Sequence, residues 1–254
     1  NYGLISARSN KSDQMDHFFV TRHMMETKCG ERTTQSCVFP LFLVTERDLM
    51  QNGRVRHPNL QGQFIKELAE RVGARWQEKN GIIKSGFDAE DVLFYSYAVF
   101  FSSSYRRRYA EFLKIDFPRL PLPTGPFLFR KLSCFGGELV SLHLLESPKV
   151  ERLITEYIGG RTPEVERVSW SNDTVWLDKE QTTSFKGVRE DVWKFHIGGY
   201  QVCEKWLKDR KGRTLSKDDV AHYQKIVVAL SETIRLMKEI DEVIESHGGW
   251  PDAF

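Results

Sequence analysis

The chain has 254 residues, of which 40% are hydrophobic and 28% charged, with a formal net charge of +2. That length and apolar content build one large domain or two small ones around a buried core and exclude a disordered chain. A charge of +2 neither requires nor excludes nucleic acid, so local clustering decides.

No apolar run approaches the roughly 20 residues of a membrane span, and no signal peptide opens the sequence. The chain starts at Asn1 and enters at once on Tyr2-Gly3-Leu4-Ile5, the texture of mid-polypeptide, so the expectation is a fragment whose partner domains lie on the N-terminal side. Cys29, Cys37, Cys134 and Cys203 have no regular spacing and read as free thiols of a reducing cytoplasm. His17, His23, Cys29 and Cys37 are an alternative zinc set, without a CxxC or HxxxH pair to support it.

In chain order, the first elements read as β. Leu4–Ala7, Phe18–Thr21 and Val38–Val44 are short apolar or alternating runs, and a polar loop from Arg22 to Ser36 joins the last two. Turn residues from Gln51-Asn52-Gly53 to Pro58-Asn59 follow. Phe64, Leu68 and Val72 then share one helical face. Asp88-Ala89-Glu90-Asp91 predicts an N-cap for a helix through Phe100, and Ser104 a cap for a further helix to Leu113. Pro118, Pro121, Pro123 and Pro126 predict an extended connector, and Lys131–Leu145 a helix. Alternation at Val165/Arg167, Val175/Leu177 and Trp193/Phe195/Ile197 predicts strands, the last broken by Gly198-Gly199. Ser216-Lys217-Asp218-Asp219 resembles a capping box ahead of a long amphipathic helix bearing Val220, Tyr223, Val227, Leu230, Ile234, Met237 and Ile244. The fold class expected is α+β (mixed α/β). Its three segments are 1–45 (a seam with upstream sequence plus first strands), 46–200 (a mixed α/β domain) and 201–254 (a helical end).

Catalytic motifs are missing. There is no GxxxxGK[ST] loop, GxSxG elbow or HExxH pair. Phe135-Gly136-Gly137 has the look of a glycine-rich cofactor loop, but it falls where a helix is running and reads better as a close helix contact or kink. Asp209-Arg210-Lys211 has a nuclease-like Asp-x-Lys spacing without an upstream acid, and a solvated turn is the simpler reading.

Three stretches carry a resemblance. They are Tyr105-Arg106-Arg107-Arg108-Tyr109 through Pro121, Phe135-Gly136-Gly137-Glu138-Leu139-Val140 with His143-Leu144-Leu145-Glu146, and the long run from Val192 through Gly198-Gly199-Tyr200 to Arg213. Together they resemble the C-terminal specificity (target-recognition) domain of Type ISP restriction–modification enzymes, over nearly the whole chain. The resemblance implies that a nuclease, an ATP-dependent translocase and an N6-adenine methyltransferase precede this region. S-adenosylmethionine, ATP and magnesium would belong to them, and this segment would select double-stranded DNA without catalytic residues or a cofactor of its own.

Phosphate contacts set affinity and register, and base-edge contacts set specificity. Arg106, Arg107 and Arg108 are phosphate candidates, although three consecutive arginines on a helix cannot face one surface. Lys205, Lys208, Arg210, Lys211 and Arg213 form a second basic cluster around Trp206, with packing framework as the alternative role. Base-reading candidates fall in two loops. One holds Arg22, Lys28, Arg32, Thr33, Thr34, Gln35 and Ser36, and the other Arg161, Arg167, Asn172, Lys179, Gln181 and Lys186. Trp193, Trp206, Trp250 and Phe195 read as core aromatics before a base-stacking platform. The competing functions are a duplex-recognition module, a scaffold docking a methyltransferase or translocase through its long helix, and a stand-alone nucleic-acid-modifying enzyme.

Overall fold

The opening apolar runs form a three-stranded antiparallel sheet in a computed structural model that describes residues 1–9, 16–29, 34–45, 50, 56–77 and 86–254. Its central strand is β1 (Gly3–Ala7), flanked by β2 (Phe18–Thr21) and β3 (Ser36–Pro40), with Ile5 opposite both Phe19 and Val38. The predicted Val38–Val44 strand breaks at Leu41. Its second part, β4 (Phe42–Leu43), pairs instead with β5 (His57–Pro58). The predicted turn at Gln51-Asn52-Gly53 lies outside the described residues.

Helix α1 (Gly62–Val72) buries Leu68 and Val72 and ends on Gly73, whose positive φ of 59° is a left-handed C-cap. After the two-residue parallel pair β6 (Arg75–Trp76) and β7 (Gly86–Phe87) comes α2 (Ala89–Phe101). Its N-terminus is the expected reciprocal box: Asp88 accepts from the Glu90 and Asp91 amides, and Asp91 accepts from the Asp88 amide. Tyr95, Tyr97 and Phe101 are fully buried, because α2 is apolar on all sides and runs through a core.

The next helix begins earlier than the sequence suggested. Ser102, not Ser104, caps α3 (Ser103–Arg108), its hydroxyl accepting from the Tyr105 amide at 3.0 Å, and α4 (Ala110–Leu113) follows. Ser104 is spent on Asp241, to which its hydroxyl donates at 2.8 Å, and on the Trp250 indole, from which it accepts at 2.7 Å. The proline connector is irregular as expected, but Pro126 opens α5 (Pro126–His143) five residues ahead of the predicted start. A proline is tolerated in a first turn because its missing N–H has no intrahelical partner there.

A 3-10 turn (Pro148–Glu151) leads to a four-stranded antiparallel sheet of order β8 (Glu156–Ile158), β11 (Ser184–Lys186), β10 (Thr174–Trp176) and β9 (Ser169–Ser171). Two predicted strands are corrected here. Val165/Arg167 is no strand but flanks an isolated bridge between Glu164 and Thr214. Trp193 lies in a helical turn, α6 (Glu190–Trp193), because the Trp193 and Lys194 amides find the Arg189 and Glu190 carbonyls at 2.9 Å. Only β12 (His196–Ile197) remains of that strand. It pairs with β13 (Tyr200–Gln201) across Gly198 and Gly199, whose φ values of 62° and 76° make the two-residue hairpin turn that glycine permits.

Helix α7 (Val202–Lys208) precedes α8 (Lys217–Ser246), 30 residues long and so about 45 Å. The Ser216 box forms despite its aspartate: Ser216 N–H donates to Asp219 Oδ2 at 2.9 Å and Asp219 N–H to Ser216 Oγ at 3.1 Å.

The chain forms two compact units, residues 1–140 with 236–254, and residues 141–235. The division at 45 and 200 does not coincide with them, because the second unit is an insertion whose flanking helices α5 and α8 begin in one unit and end in the other. Its core gathers Val175, Leu177, Phe185, Leu207, Tyr223 and Val227.

Gly136-Gly137 is a close helix contact. A Cβ on Gly136 would lie 1.7 Å from the Phe94 carbonyl oxygen, while one on Gly137 would meet only the edge of the Phe94 ring at 3.2 Å. Gly136→Ala therefore forces α5 away from α2 and is expected to lower stability by about 1–3 kcal/mol or more. Gly137→Ala should cost less, and chemical denaturation of the two variants checks the order.

Candidate nucleic-acid interface

The arginine triplet resolves into different roles. On α3, Arg107 and Arg108 are exposed, whereas the Arg106 guanidinium points inward between the Phe18 and Phe101 rings, 5.5 and 4.5 Å from their centroids. Its Nε donates to the Phe100 carbonyl at 2.6 Å. Burial pulls its pKa down to about 10, against Asp16, Tyr97 and Asp241, which favour the charge. A guanidinium fixed this way holds the β-sheet against α2 and is withdrawn from phosphate. Arg106 is corrected to a core residue.

Part of the first loop is engaged within its own unit. Arg22 Nη2 donates to the Tyr2 hydroxyl at 2.7 Å and the guanidinium lies over the Tyr2 ring at 4.1 Å. Thr34 donates to the Ser9 carbonyl at 2.8 Å. Ser36 is buried in β3, while Lys28 and Gln35 are exposed. Arg32 and Thr33 lie outside the described residues.

The remaining candidates all belong to the second unit, where ion pairs divide them. Lys205 pairs with Asp209 at 2.6 Å, Lys208 with Glu204 at 2.9 Å and Lys179 with Glu166 at 2.8 Å. Arg210 stacks on Trp206, 3.6 Å from the ring centroid, donates to its carbonyl at 3.1 Å and faces Asp219 at 3.7 Å. Each of these four has a carboxylate partner within the unit. Arg161, Arg167, Lys186, Lys211 and Arg213 are exposed, and none forms an ion pair among the described residues. Asn172, with φ 49°, and Asp173, with φ 53°, are the central residues of the β9–β10 turn. That is a left-handed position Asn fills readily, so its conformation is explained by the hairpin.

Backbone pairing draws several of these segments together. The Val165 amide donates to the Arg213 carbonyl at 3.0 Å, Gly212 to Val165 at 2.8 Å and Leu215 to Pro163 at 2.8 Å. On the other side, the Glu166 and Arg167 amides both donate to the Leu177 carbonyl at 2.9 Å. Residues 211–213, 163–167 and 177–179 are therefore contiguous, whereas Asn172 and Lys186 sit at the opposite end of the β10–β11 hairpin.

Sequence reasoning missed the carboxylates that decide this pattern. Glu204/Lys208 and Lys205/Asp209 had a signal, their four-residue spacing. Glu166 and Asp219 had none, since their partners come from elsewhere in the fold. Trp193 is buried, Trp206 and Phe195 pack on the same core, and Trp250 stacks on Phe254 at 4.2 Å. Cys203 is buried, which pushes its thiol up to about 12, and Cys29, Cys37 and Cys134 are exposed free thiols. Among the described residues, no three His, Cys, Asp or Glu side chains gather as a metal would need, and no helix is long and apolar enough to cross a membrane.

A mixed α+β domain with unpaired cations on its turns is a surface suited to a polyanion. The chain belongs to the Type ISP C-terminal specificity domain family, whose model matches residues 1–239. No curated protein matches significantly. Three solved structures share the fold, each aligned over 94% of this chain. One is the ATP-dependent Type ISP restriction–modification enzyme LlaBIII bound to DNA, at TM-score 0.68 and 17% identity. Another is a nuclease-deletion mutant of the Type ISP restriction–modification enzyme LlaGI in complex with a DNA substrate mimic, at 0.62 and 17%. The third is a DrdV–DNA complex, at 0.67 and 18%. This chain spans 16%, 21% and 24% of their respective lengths.

The split within the triplet is testable by denaturation. Arg106→Ala should lower stability by more than about 1 kcal/mol, because it removes both packing and cation–π attraction from the core. Arg107→Ala and Arg108→Ala should stay within about 0.5 kcal/mol of the parent.

Proposed function

We propose that this chain is the module by which a longer restriction–modification polypeptide selects its double-stranded DNA target. Adenine methylation and ATP-dependent cleavage fall to preceding domains of that polypeptide, which hold S-adenosylmethionine, ATP and magnesium. The observation that carries this reading is the specificity-domain family match over residues 1–239. The three relatives of the same fold, each in a structure with DNA and each four to six times longer, support it. So do the unpaired cations of the second unit, since a net charge of +2 leaves phosphate binding to local patches.

Docking through the C-terminal helix receives less support. The buried face of α8 is spent on this chain's own cores, with Tyr223, Val227 and Leu230 in one unit and Leu236, Ile240 and Ile244 in the other.

The test is to exchange this segment for that of a relative with a different target, in the complete enzyme, and to map the adenines methylated in a DNA library. The methylated sequence should follow the exchanged segment. If it stays with the methyltransferase half, the reading is wrong. Methyl transfer or cleavage by the 254-residue chain alone would instead favour a stand-alone enzyme.

A further inference from the structure

The loop between β10 and β11 is closed by one of its own side chains. At its base Asp178 accepts the Thr182 amide at 2.9 Å, the Thr182 hydroxyl at 3.1 Å and the Thr183 amide at 2.7 Å. The Leu177 amide closes it onto the Thr183 carbonyl at 3.0 Å. These bonds fix the backbone at the neck, so the tip has little freedom. At that tip sits Gln181, exposed, with φ 57°. A left-handed backbone suits glycine or asparagine, and a longer side chain adopts it only where the surroundings impose it. The result is an exposed carboxamide carried on a backbone that Asp178 pins at the neck.

The chemistry of the tip separates it from its surroundings. Lys179 is tied to Glu166, so among the described residues the tip offers Gln181 and the exposed Glu180 and no unpaired cation. Gln181 and Glu180 are ill suited to lie along phosphates. They are suited to base edges, where a glutamine carboxamide takes adenine N6 and N7 and a carboxylate accepts from cytosine N4. The cations stand beside the tip. Arg167 and the Lys211-Gly212-Arg213 turn are joined to the loop through the backbone bonds of Val165, Glu166 and Leu177, and Gly212, with φ 74°, has open space where a side chain would be. Against Arg167, Lys211 and Arg213, the ladder segment 163–167 sets one exposed carboxylate without an ion pair among the described residues, Glu164.

We propose that Gln181 reads a base edge from the loop 178–183, while Arg167, Lys211 and Arg213 take the neighbouring phosphates. The proposal rests on the DNA-recognition reading above and assigns its two parts, specificity and affinity, to different residues of one strip.

The experiment is a selection from randomised duplexes with the complete enzyme, followed by titrations at several salt concentrations. Gln181→Gly keeps the left-handed backbone without its cost and removes only the carboxamide. It should leave the melting temperature unchanged or raised, and weaken discrimination at one base pair by about tenfold. Gln181→Glu should shift preference at that pair toward cytosine. The triple change Arg167→Gln, Lys211→Gln and Arg213→Gln should weaken binding to all sequences alike, and lower the slope of log K against log salt by about 0.9 for each phosphate left without its cation. If the triple variant melts early, Lys211→Gln alone supplies the slope measurement. The proposal is overturned if both Gln181 variants keep the parental preference at every position, or if the cation variants keep the parental salt slope. A parent enzyme that selects no sequence overturns the recognition reading itself.

Discussion

A short backbone ladder organises the candidate interface of the second unit. Pro163 and Val165 bond to Gly212, Arg213 and Leu215, and residues 166 and 167 turn from that ladder to bond Leu177. These bonds leave no choice about which basic segments become neighbours. The turn at Lys211–Arg213, far along the sequence, is drawn to Arg167 and to the neck of the β10–β11 loop. Buried Val165 anchors the ladder in the core, so the backbone that carries the exposed side chains around it is held in place. A surface prepared in this way loses less conformational entropy when a partner binds.

Charge neutralisation then selects among the cations. Lys205, Lys208, Lys179 and Arg210 each face a carboxylate, so their charges serve the fold's own surface and contribute little to an outward field. Arg106 goes further and becomes part of a core, stacked on aromatic rings. What is left on the strip is a small set of unpaired cations beside a polar tip. This matches the requirement that phosphate contacts position a protein while base contacts specify the sequence.

Much of the fold could be read from local signals. The Asp88 and Ser216 capping boxes, the helix around Leu68 and the break at Gly198-Gly199 all follow from neighbours a few residues apart. Errors came where a competing partner, distant or local, decided. Ser104 had the chemistry of a cap, but Asp241 and Trp250 claim it, and Ser102 caps instead. The alternation at Trp193/Phe195/Ile197 had the period of a strand, yet Arg189 and Glu190 carbonyls were within reach to close a helical turn. For the candidate interface, the arginine triplet itself implied that one member would turn away, since consecutive helical residues diverge by about 100°. Its core partners Phe18 and Phe101 could not be foreseen. The pairing of residues 163–165 with 212–215 has no periodic trace in the sequence, and so the strip it creates was invisible there.

The central claim is that DNA meets the strip formed by the ladder, the β10–β11 loop and the Lys211–Arg213 turn. Hydrogen–deuterium exchange of the complete enzyme, with and without a duplex carrying its target, tests this directly. The account predicts that target DNA slows exchange in residues 163–167, 178–183 and 211–213. Slowed exchange confined to the first unit, around residues 22–29 and 34–36, with those three segments unchanged, would contradict it.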